Sequence, residues 1–456
     1  MTRNKYCFGL GTVGRDMLYT LVSMYLLFYL TDILNLPDST MWWMTAVLTV
    51  LRVFDAVNDP FMGVLVDNTK SRYGKFKPWI AVGAVLAGVF TVLMFTDTGM
   101  TASSYIVFFT FVYLTWDIVY GANDIAYWSM LPSLTIDLRE REKIGSFAKI
   151  CANVGMYIVV VAIIPVTEIL SRLTGSAVQG WFVFSLIVAG LLLLFQSFTV
   201  FGVKEMKGTF KEEEKTTLRE MFSVIFKNDQ LMVTAVAMAL FMIGYCTTTS
   251  FGVYFFKYGY KDESMYSVFA GVLGVSQITA LSLFPVFAKR YNRKRLYTFA
   301  TAMVAAGYIV FFFAPMKMIP IGIAGILVFI GEAFISILML MFLTDTIEYG
   351  QWKFRKRNES ITFSIQPFIN KIGGAIANGI VGITVIIAGI NRAETPEDVT
   401  SEGLLIMKLA MLVLPLIFIA VGYFIYLSKF KIDDRLFEQI VAELKQRGDI
   451  RKPYSE

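Results

Sequence analysis

The chain has no histidine and only three cysteines among its 456 residues. Without histidine it lacks the commonest metal ligand and the usual proton shuttle near neutral pH, so proton or cation chemistry must use carboxylates. Cys7, Cys151 and Cys246 lie far apart in apolar stretches, which indicates free thiols in a core and neither a disulfide framework nor a metal set. The longest polar stretch, residues 204–229, is too short for a nucleotide-binding or soluble catalytic domain.

Charge is also scarce. Charged residues make up 17% of the chain, hydrophobic residues 56%, and the mean hydropathy is +0.62, whereas soluble chains are about 25% charged. Apolar windows of about 20 residues, enough to cross a hydrocarbon layer about 30 Å thick, recur along the whole chain. We therefore predict an all-α integral membrane protein with twelve transmembrane helices, at residues 9–33, 41–66, 78–97, 104–131, 146–168, 179–203, 230–257, 264–288, 296–315, 319–347, 360–390 and 402–428.

Loop charge orients these spans. Lys and Arg concentrate in the tails and after the even-numbered spans, as in "KSRYGKFK" and "KRYNRKR", and the positive-inside rule then places both termini in the cytoplasm, with the chain in the cell membrane. The net charge of +6 is mostly this topology signal, so no nucleic-acid partner is expected.

The polar stretch in the middle divides the spans evenly. It predicts an N-terminal six-helix half (1–203), a cytoplasmic central loop (204–229), a C-terminal six-helix half (230–428) and a cytoplasmic tail (429–456). Two six-helix halves joined by a central loop are the plan of the major facilitator fold, in which the halves rock about a site at the membrane midplane.

The second predicted span carries charges that are costly in a bilayer. Asp55 and Asp59 are four residues apart and share one helix face, with Arg52 on the same side and Asn58 next to Asp59. Two such carboxylates could coordinate Na⁺ or Li⁺, or hold a proton through burial and mutual repulsion. The alternative is a structural ion pair between Arg52 and Asp55, which leaves Asp59 unexplained.

The fourth predicted span presents Tyr120, Asp124 and Trp128 at four-residue steps, so the three side chains share one face. A carboxylate that accepts hydroxyls beside a flat ring that stacks on a pyranose suits a sugar. Trp128 taken alone would more often be a packing residue or an interfacial anchor.

Further charged residues lie in other spans: Arg15, Asp16, Lys149 and Lys371. Acids and bases of this kind can neutralise one another in an empty cavity, and they mark substrate and ion routes in membrane proteins. Asp345 and Glu348 lie close to the cytoplasmic end of the tenth span, and we expect them to pair with the basic loops there.

Four stretches together resemble the glycoside–pentoside–hexuronide cation symporters, most closely the branch that carries melibiose. They are "RVFDAVNDPFMGVLVDNTKSRYGKFKPWI", "NDIAYWSMLPSLTIDLREREK", "FKNDQL" and "DTIEYGQWKFRKRNESITFSIQ". The resemblance covers essentially the whole chain. It implies a major facilitator fold that moves a sugar together with Na⁺, Li⁺ or H⁺.

The resemblance also implies roles for residues at matching positions. The cation carboxylates match Asp55 and Asp59 with Asn58; the sugar acids match Asp16 and Asp124; the stacking ring matches Trp128; and the basic partners match Arg15 and Lys371. The chain departs from the melibiose branch at three positions. Gly121 replaces a threonine near the cation, Lys149 replaces an arginine that faces the sugar, and Pro367 replaces a threonine of the eleventh span.

The sequence thus favours a cation-coupled sugar symporter that is not an enzyme, needs no cofactor apart from the co-transported cation, and works as a monomer among membrane lipids. Bound cation would raise sugar affinity, and sugar would raise cation affinity in return. Two alternatives stay open: a lipid or lysolipid carrier of the same fold, and a membrane-embedded enzyme that uses Asp55 and Asp59 as its acid and base.

Overall fold

The regular structure of the chain is almost entirely helical. The computed structural model describes residues 2–34, 36–205, 225–262, 264–390, 393 and 395–450. The helices in this part are α1 (Thr2–Phe28), α2 (Asp38–Asp67), α3 (Lys77–Met94), α4 (Ala102–Ser129), α5 (Leu138–Thr174), α6 (Ala177–Gly202), α7 (Asp229–Tyr254), α8 (Ser264–Arg290), α9 (Arg293–Phe313), α10 (Met318–Phe354), α11 (Glu359–Ile387), α12 (Ser401–Lys429) and α13 (Asp434–Gln446).

In the described part of the chain, ten helices, α3 to α12, are long and apolar enough to cross a membrane. Several extend past the spans that hydropathy predicts: α5 covers Leu138–Thr174 where 146–168 was expected, and α10 covers Met318–Phe354 where 319–347 was expected. Hydropathy detects only the apolar part of a helix, whereas the helix continues into polar residues at its ends. That α1 and α2 also span the membrane stays a prediction.

The chain forms two compact units. The first comprises Met1–Phe222, Asn358–Ser364 and Lys445–Glu456, and the second comprises Ser223–Arg357 and Ile365–Leu444. In the first unit α1 packs against α5 and α6, α3 against α4 and α6, and α2 against α4; in the second, α10 packs against α8 and α9, and α7 against α12. Most of the predicted central loop, residues 206–224, lies outside the described residues.

A close approach of two backbones sets the spacing of α1 and α5. A Cβ atom added at Gly155 of α5 would collide with the carbonyl oxygen of Val13 in α1. Glycine is needed here because no side chain fits between the two backbones. On α1 this contact lies at Val13, two residues before Arg15, so α5 packs against α1 close to Arg15.

Polar contacts fix the rotation of α4. The Asn123 amide donates to the carbonyl oxygen of Ile80 in α3 at 2.8 Å, and it exchanges two hydrogen bonds of 2.8 and 2.9 Å with Gln196 in α6. The Tyr127 hydroxyl donates to the carbonyl oxygen of Phe8 in α1. These buried bonds are lost if α4 turns, so they hold the neighbouring Asp124 in one direction.

The expected pairing of the α10 acids with basic loops is confirmed. Arg293, the first residue of α9 and part of the basic stretch "KRYNRKR", forms a buried ion pair with Asp345. Arg357, from the loop after α10, lies 3.2 Å from Glu348, and both side chains are nearly inaccessible to solvent. Removing one partner from either pair would leave an uncompensated buried charge, which is strongly destabilising.

Candidate functional site

The centre of the candidate site is the guanidinium group of Arg15. It lies 2.8 Å from Asp16 Oδ2 through Nη2 and 2.8 Å from Asp124 Oδ1 through Nη1. The arginine is 3% exposed, whereas the two acids are 24% and 23% exposed. One buried cation thus holds two partly accessible carboxylates, one from α1 and one from α4.

Each of these acids has one carboxylate oxygen that Arg15 does not contact. Among the described residues, no group bonds Asp16 Oδ1 or Asp124 Oδ2. A carboxylate has about four lone-pair positions, and Arg15 uses only part of them. The two acids can therefore accept hydrogen bonds from the hydroxyls of a ligand while Arg15 balances their charge.

Aromatic rings lie beside the Arg15 clamp, in which Arg15 holds Asp16 and Asp124. The Cζ atom of Arg15 lies 4.9 Å from the ring centre of Tyr127 and 5.2 Å from that of Trp128. Lys149 Nζ lies 5.1 Å from the Trp128 ring. Cations over an indole face stabilise it by about 0.5 to 2 kcal/mol each. The tryptophan is thereby fixed between cations of α1 and α5.

Trp128 is more enclosed than its sequence pattern suggests. It is 7% exposed, and its edge meets the rings of Phe8 and Tyr127, each at 6.1 Å. The more exposed ring is that of Tyr19, which stacks on Tyr120 at 5.4 Å, and Tyr120 in turn stacks on Trp116 at 5.1 Å. Tyr19 is 46% exposed. Its position one turn after Arg15 was a signal that the sequence analysis did not use.

The Asp59 side chain of α2 is placed toward α4. Asp59 is fully buried, and a Cβ atom at Gly121 of α4 would lie 3.4 Å from its Oδ1. The side-chain nitrogen of Asn58 is enclosed and has no hydrogen-bond partner among the described residues. The side chains of Arg52 and Asp55 lie outside the described residues. The joint role of Asp55 and Asp59 therefore stays a prediction.

A resident metal site needs several ligating side chains close together. In the described part of the chain, which leaves out the Asp55 side chain, no three His, Cys, Asp or Glu residues gather as a metal site. A transported alkali ion differs from a resident metal because it must bind and leave in every cycle. Oxygen ligands such as those of Asp59 and Asn58 suit a hard cation of this kind.

The candidate residues divide between the two units. Arg15, Asp16, Tyr120, Asp124, Trp128 and Lys149, together with Asn58 and Asp59, belong to the first unit. Lys371 lies on α11 in the second unit and has polar partners there or elsewhere in the chain. The contacts described above therefore arise within one unit.

Sequence reasoning missed an acid at the end of α2. Asp67 accepts a hydrogen bond from the Ser360 N–H at 3.0 Å and from the Ile361 N–H at 2.9 Å, at the start of α11. Lys75 Nζ lies 2.5 Å from Asp67 and 3.5 Å from Glu359. Asp67 thus caps the N-terminal N–H groups of α11 and interacts favourably with the helix dipole.

Comparison with known proteins adds the family context. A family model described as "MFS/sugar transport protein" matches residues 7–434. The lactose permease of Lactobacillus delbrueckii subsp. bulgaricus is 32% identical over 452 residues, which is 97% of this chain and 72% of that protein. The raffinose carrier protein of Pediococcus pentosaceus is 32% identical over 453 residues, 96% of this chain and 71% of that protein.

The fold is shared with solved transporters. The proton:xylose symporter XylE superposes with a TM-score of 0.65 at 13% identity, covering 97% of this chain and 98% of that one. The Escherichia coli fucose:proton symporter FucP gives 0.63 at 14% identity, over 92% and 98% of the two chains. The predicted major facilitator fold is thereby confirmed.

Proposed function

Because this chain belongs to the MFS/sugar transport protein family, we propose that it is a cation-coupled symporter that moves an uncharged glycoside or pentoside together with Na⁺, Li⁺ or H⁺. The family places it among multi-pass membrane transporters and not among enzymes. The observation that carries the sugar assignment is the Arg15 clamp, which holds Asp16 and Asp124 partly open beside aromatic rings.

A sugar fits this arrangement by its chemistry. The free oxygens of Asp16 and Asp124 accept hydroxyl hydrogens, and charge-assisted hydrogen bonds of this kind are about twice as strong as neutral ones. The Tyr19 ring, which is 46% exposed and stacks on Tyr120, offers a flat face for the apolar side of a pyranose. Arg15 balances the charge of both acids, so their oxygens can accept hydroxyl hydrogens when the sugar arrives.

Three of the relatives are named for uncharged sugars. Lactose and raffinose, named in two of the similar proteins, are neutral oligosaccharides. The isoprimeverose transporter of Lactiplantibacillus pentosus, 25% identical over 86% of this chain and 82% of that protein, is named for a neutral disaccharide. We extend this substrate class to the present chain as a proposal.

The cation is proposed to bind at Asp59 and Asp55, with Asn58 next to them. Asp59 lies against Gly121 of α4, three residues before the sugar acid Asp124. An ion bound at α2 would therefore stabilise the packing of α2 on α4 and preorganise the sugar acid. Reciprocal coupling of sugar and cation affinity follows from linkage.

Transport then requires alternation of two halves. We propose a six-helix half over residues 1–203 and another over 230–428, joined by the loop 204–229, with both termini and the tail 429–456 in the cytoplasm of a cell whose membrane holds the chain. The protein would act as a monomer among lipids, with the sugar and the cation as its small-molecule partners. Neither half-loaded form should cross easily, because coupling depends on that restriction.

The test is uptake into sealed vesicles that contain the purified protein. Labelled neutral glycosides are offered under an inward gradient of Na⁺, of Li⁺ or of H⁺, one at a time. We expect at least one gradient to drive accumulation, Asp124→Asn to abolish it, and Glu438→Gln, which alters an exposed acid of α13, to leave it unchanged. Uptake blocked by acyl chains but not by sugars would instead identify a lipid or lysolipid carrier.

A further inference from the structure

A small cavity lies inside the second unit, apart from the charged residues of the candidate site. Its wall comes from α7, α8, α9, α10 and α12, which are all long and apolar enough to cross a membrane. The space left for water-sized spheres is about 40 Å³, a few times the about 10 to 15 Å³ that one buried water requires. Pockets for drug-sized ligands measure about 300 to 1,000 Å³, so this cavity holds a few heavy atoms and no sugar.

Two glycines and the rings opposite them shape the cavity. A Cβ atom at Gly252 of α7 would lie 2.8 Å from the Tyr266 ring, and one at Gly325 of α10 would lie 2.5 Å from the Phe269 ring. The rings of α8 therefore pack directly on both backbones. Phe269 also meets Phe311 of α9 edge-on, with ring centres 6.0 Å apart. Rigid rings do not adapt to irregular space as a flexible unbranched side chain does, so a gap remains.

The threonine hydroxyls of the wall are already engaged. Thr248 Oγ1 lies 2.7 Å from the Tyr308 hydroxyl and 2.8 Å from the carbonyl oxygen of Met411. Thr249 Oγ1 donates to a carbonyl oxygen one turn earlier in α7 at 3.0 Å. The other polar side chain among the described wall residues is Tyr266, and one hydroxyl is fewer than the about two to four partners that a buried water needs. The cavity therefore favours an apolar occupant over water.

The wall is open at one place. Thr249, Tyr266 and Leu273 are partly exposed, whereas the other wall residues are buried. Val268 and Val275, on the same turns of α8 as the wall residues, are 50% and 69% exposed. Exposed apolar surface of this kind suits contact with a membrane, so a small molecule dissolved in the membrane can reach the opening.

We propose that this cavity is a binding site for a small apolar molecule of a few heavy atoms, such as a short hydrocarbon or halocarbon. The ligand gains dispersion contacts with the wall and needs no hydrogen bond from it. It favours the helix arrangement in which the cavity exists, because a ligand stabilises the state that it binds. One consequence rests on the proposed function: the ligand would slow sugar uptake without competing with sugar, since the Arg15 clamp lies in the first unit.

Diffraction from crystals of the full chain pressurised with xenon tests this, because xenon is an apolar atom that binds in dry cavities. We expect an anomalous peak in contact with the side chains of Phe269, Phe329 and Met411, which line the cavity. Leu273→Phe enlarges a wall side chain and should remove the peak. Leu283→Phe makes the same change at an exposed position of α8 and should leave the peak unchanged.

The proposal is overturned if the wild-type cavity shows no xenon peak, if Leu273→Phe keeps the peak at full strength, or if ordered water or a lipid acyl chain fills the space. If Leu273→Phe does not fold, Val328→Leu, which adds a methylene group to the same wall, takes its place and should weaken the peak. The diffraction needs neither sugar nor cation, so a chain that fails to transport sugar would still give a decisive result here.

Discussion

Arg15 of α1 and Asp124 of α4 form an ion pair of 2.8 Å. The same guanidinium group holds Asp16, so a single cation balances two acids that come from different helices. The arrangement lets two carboxylates lie close together in a protein interior, because one guanidinium group offsets their mutual repulsion. It also predicts that the site depends on arginine as such, because a lysine cannot offer donors in a fixed fork.

The first prediction concerns this clamp. Arg15→Ala should lower sugar affinity at least tenfold and destabilise the protein by about 3 to 5 kcal/mol, because two acids lose their common partner. Arg15→Lys should keep part of the stability but not the affinity. Calorimetric titration and thermal unfolding of the purified variants measure both effects. Arg295→Ala, at an exposed arginine, is the control, and equal losses there would reject the assignment.

The second prediction separates ion coupling from sugar binding. Asp59→Asn should abolish stimulation of uptake by cations while some sugar binding remains, because the sugar acids lie on α1 and α4 and Asp59 lies on α2. Equilibrium binding with and without each cation gives the measurement. Stimulation that persists undiminished for every cation would remove Asp59 from the cation site.

The third prediction concerns the choice of ion. A Cβ atom at position 121 would lie 3.4 Å from Asp59 Oδ1, which is an ordinary contact, so alanine and threonine both fit there. Gly121→Thr adds a hydroxyl oxygen and should shift preference from H⁺ toward Na⁺. Gly121→Ala adds only a methyl group and serves as the matched control. A wild type that is already strictly Na⁺-dependent and moves no proton would contradict this expectation.

The fourth prediction concerns the cap on α11. Removing a capping side chain costs about 1 kcal/mol, so Asp67→Ala should lower stability modestly. It should also slow sugar uptake while leaving sugar affinity intact, because Asp67 makes no contact with Arg15 or its acids. Asp137→Ala removes the exposed cap of α5, a comparable loss far from α11. If both variants slow uptake equally, a specific role for Asp67 is excluded.

The fifth prediction concerns the charge of the substrate. Asp16 and Asp124 place two carboxylates at the sugar, and a third from a uronate would be repelled unless cations outweigh them. Arg15 is already engaged by both acids. A neutral glycoside should therefore bind more tightly than its matching uronide in competition assays. Tighter binding of the uronide that is lost in Lys149→Ala would make Lys149 a carboxylate clamp.

Much of the site could be predicted from spacing within single helices. The four-residue steps of Tyr120, Asp124 and Trp128 fix a shared face, and α4 is helical throughout this region. The charges of α1 stood out because ionised residues are rare in apolar helices. Helical periodicity predicts which residues share a face of one helix, and it was sufficient to place Tyr120, Asp124 and Trp128 on one face of α4.

Contacts between residues of different helices could not be predicted in the same way. The enclosure of Trp128 by Phe8 depends on how α1 packs against α4, which follows from the side-chain volumes of two different helices. The contact of Asp67 with Ile361 joins residues that are distant in sequence. No local pattern marks the partner, because the N–H groups at a helix start are present in every helix.

The placement of most of the proposed binding residues in one unit has a genetic consequence. Asp16, Asp59, Asp124 and Lys149 all belong to the first unit and precede residue 150. Under selection for growth on a new sugar, changes in preference should accumulate in the early part of the gene. Substitutions that arise later in the gene should mainly change the rate at which the same sugars are taken up.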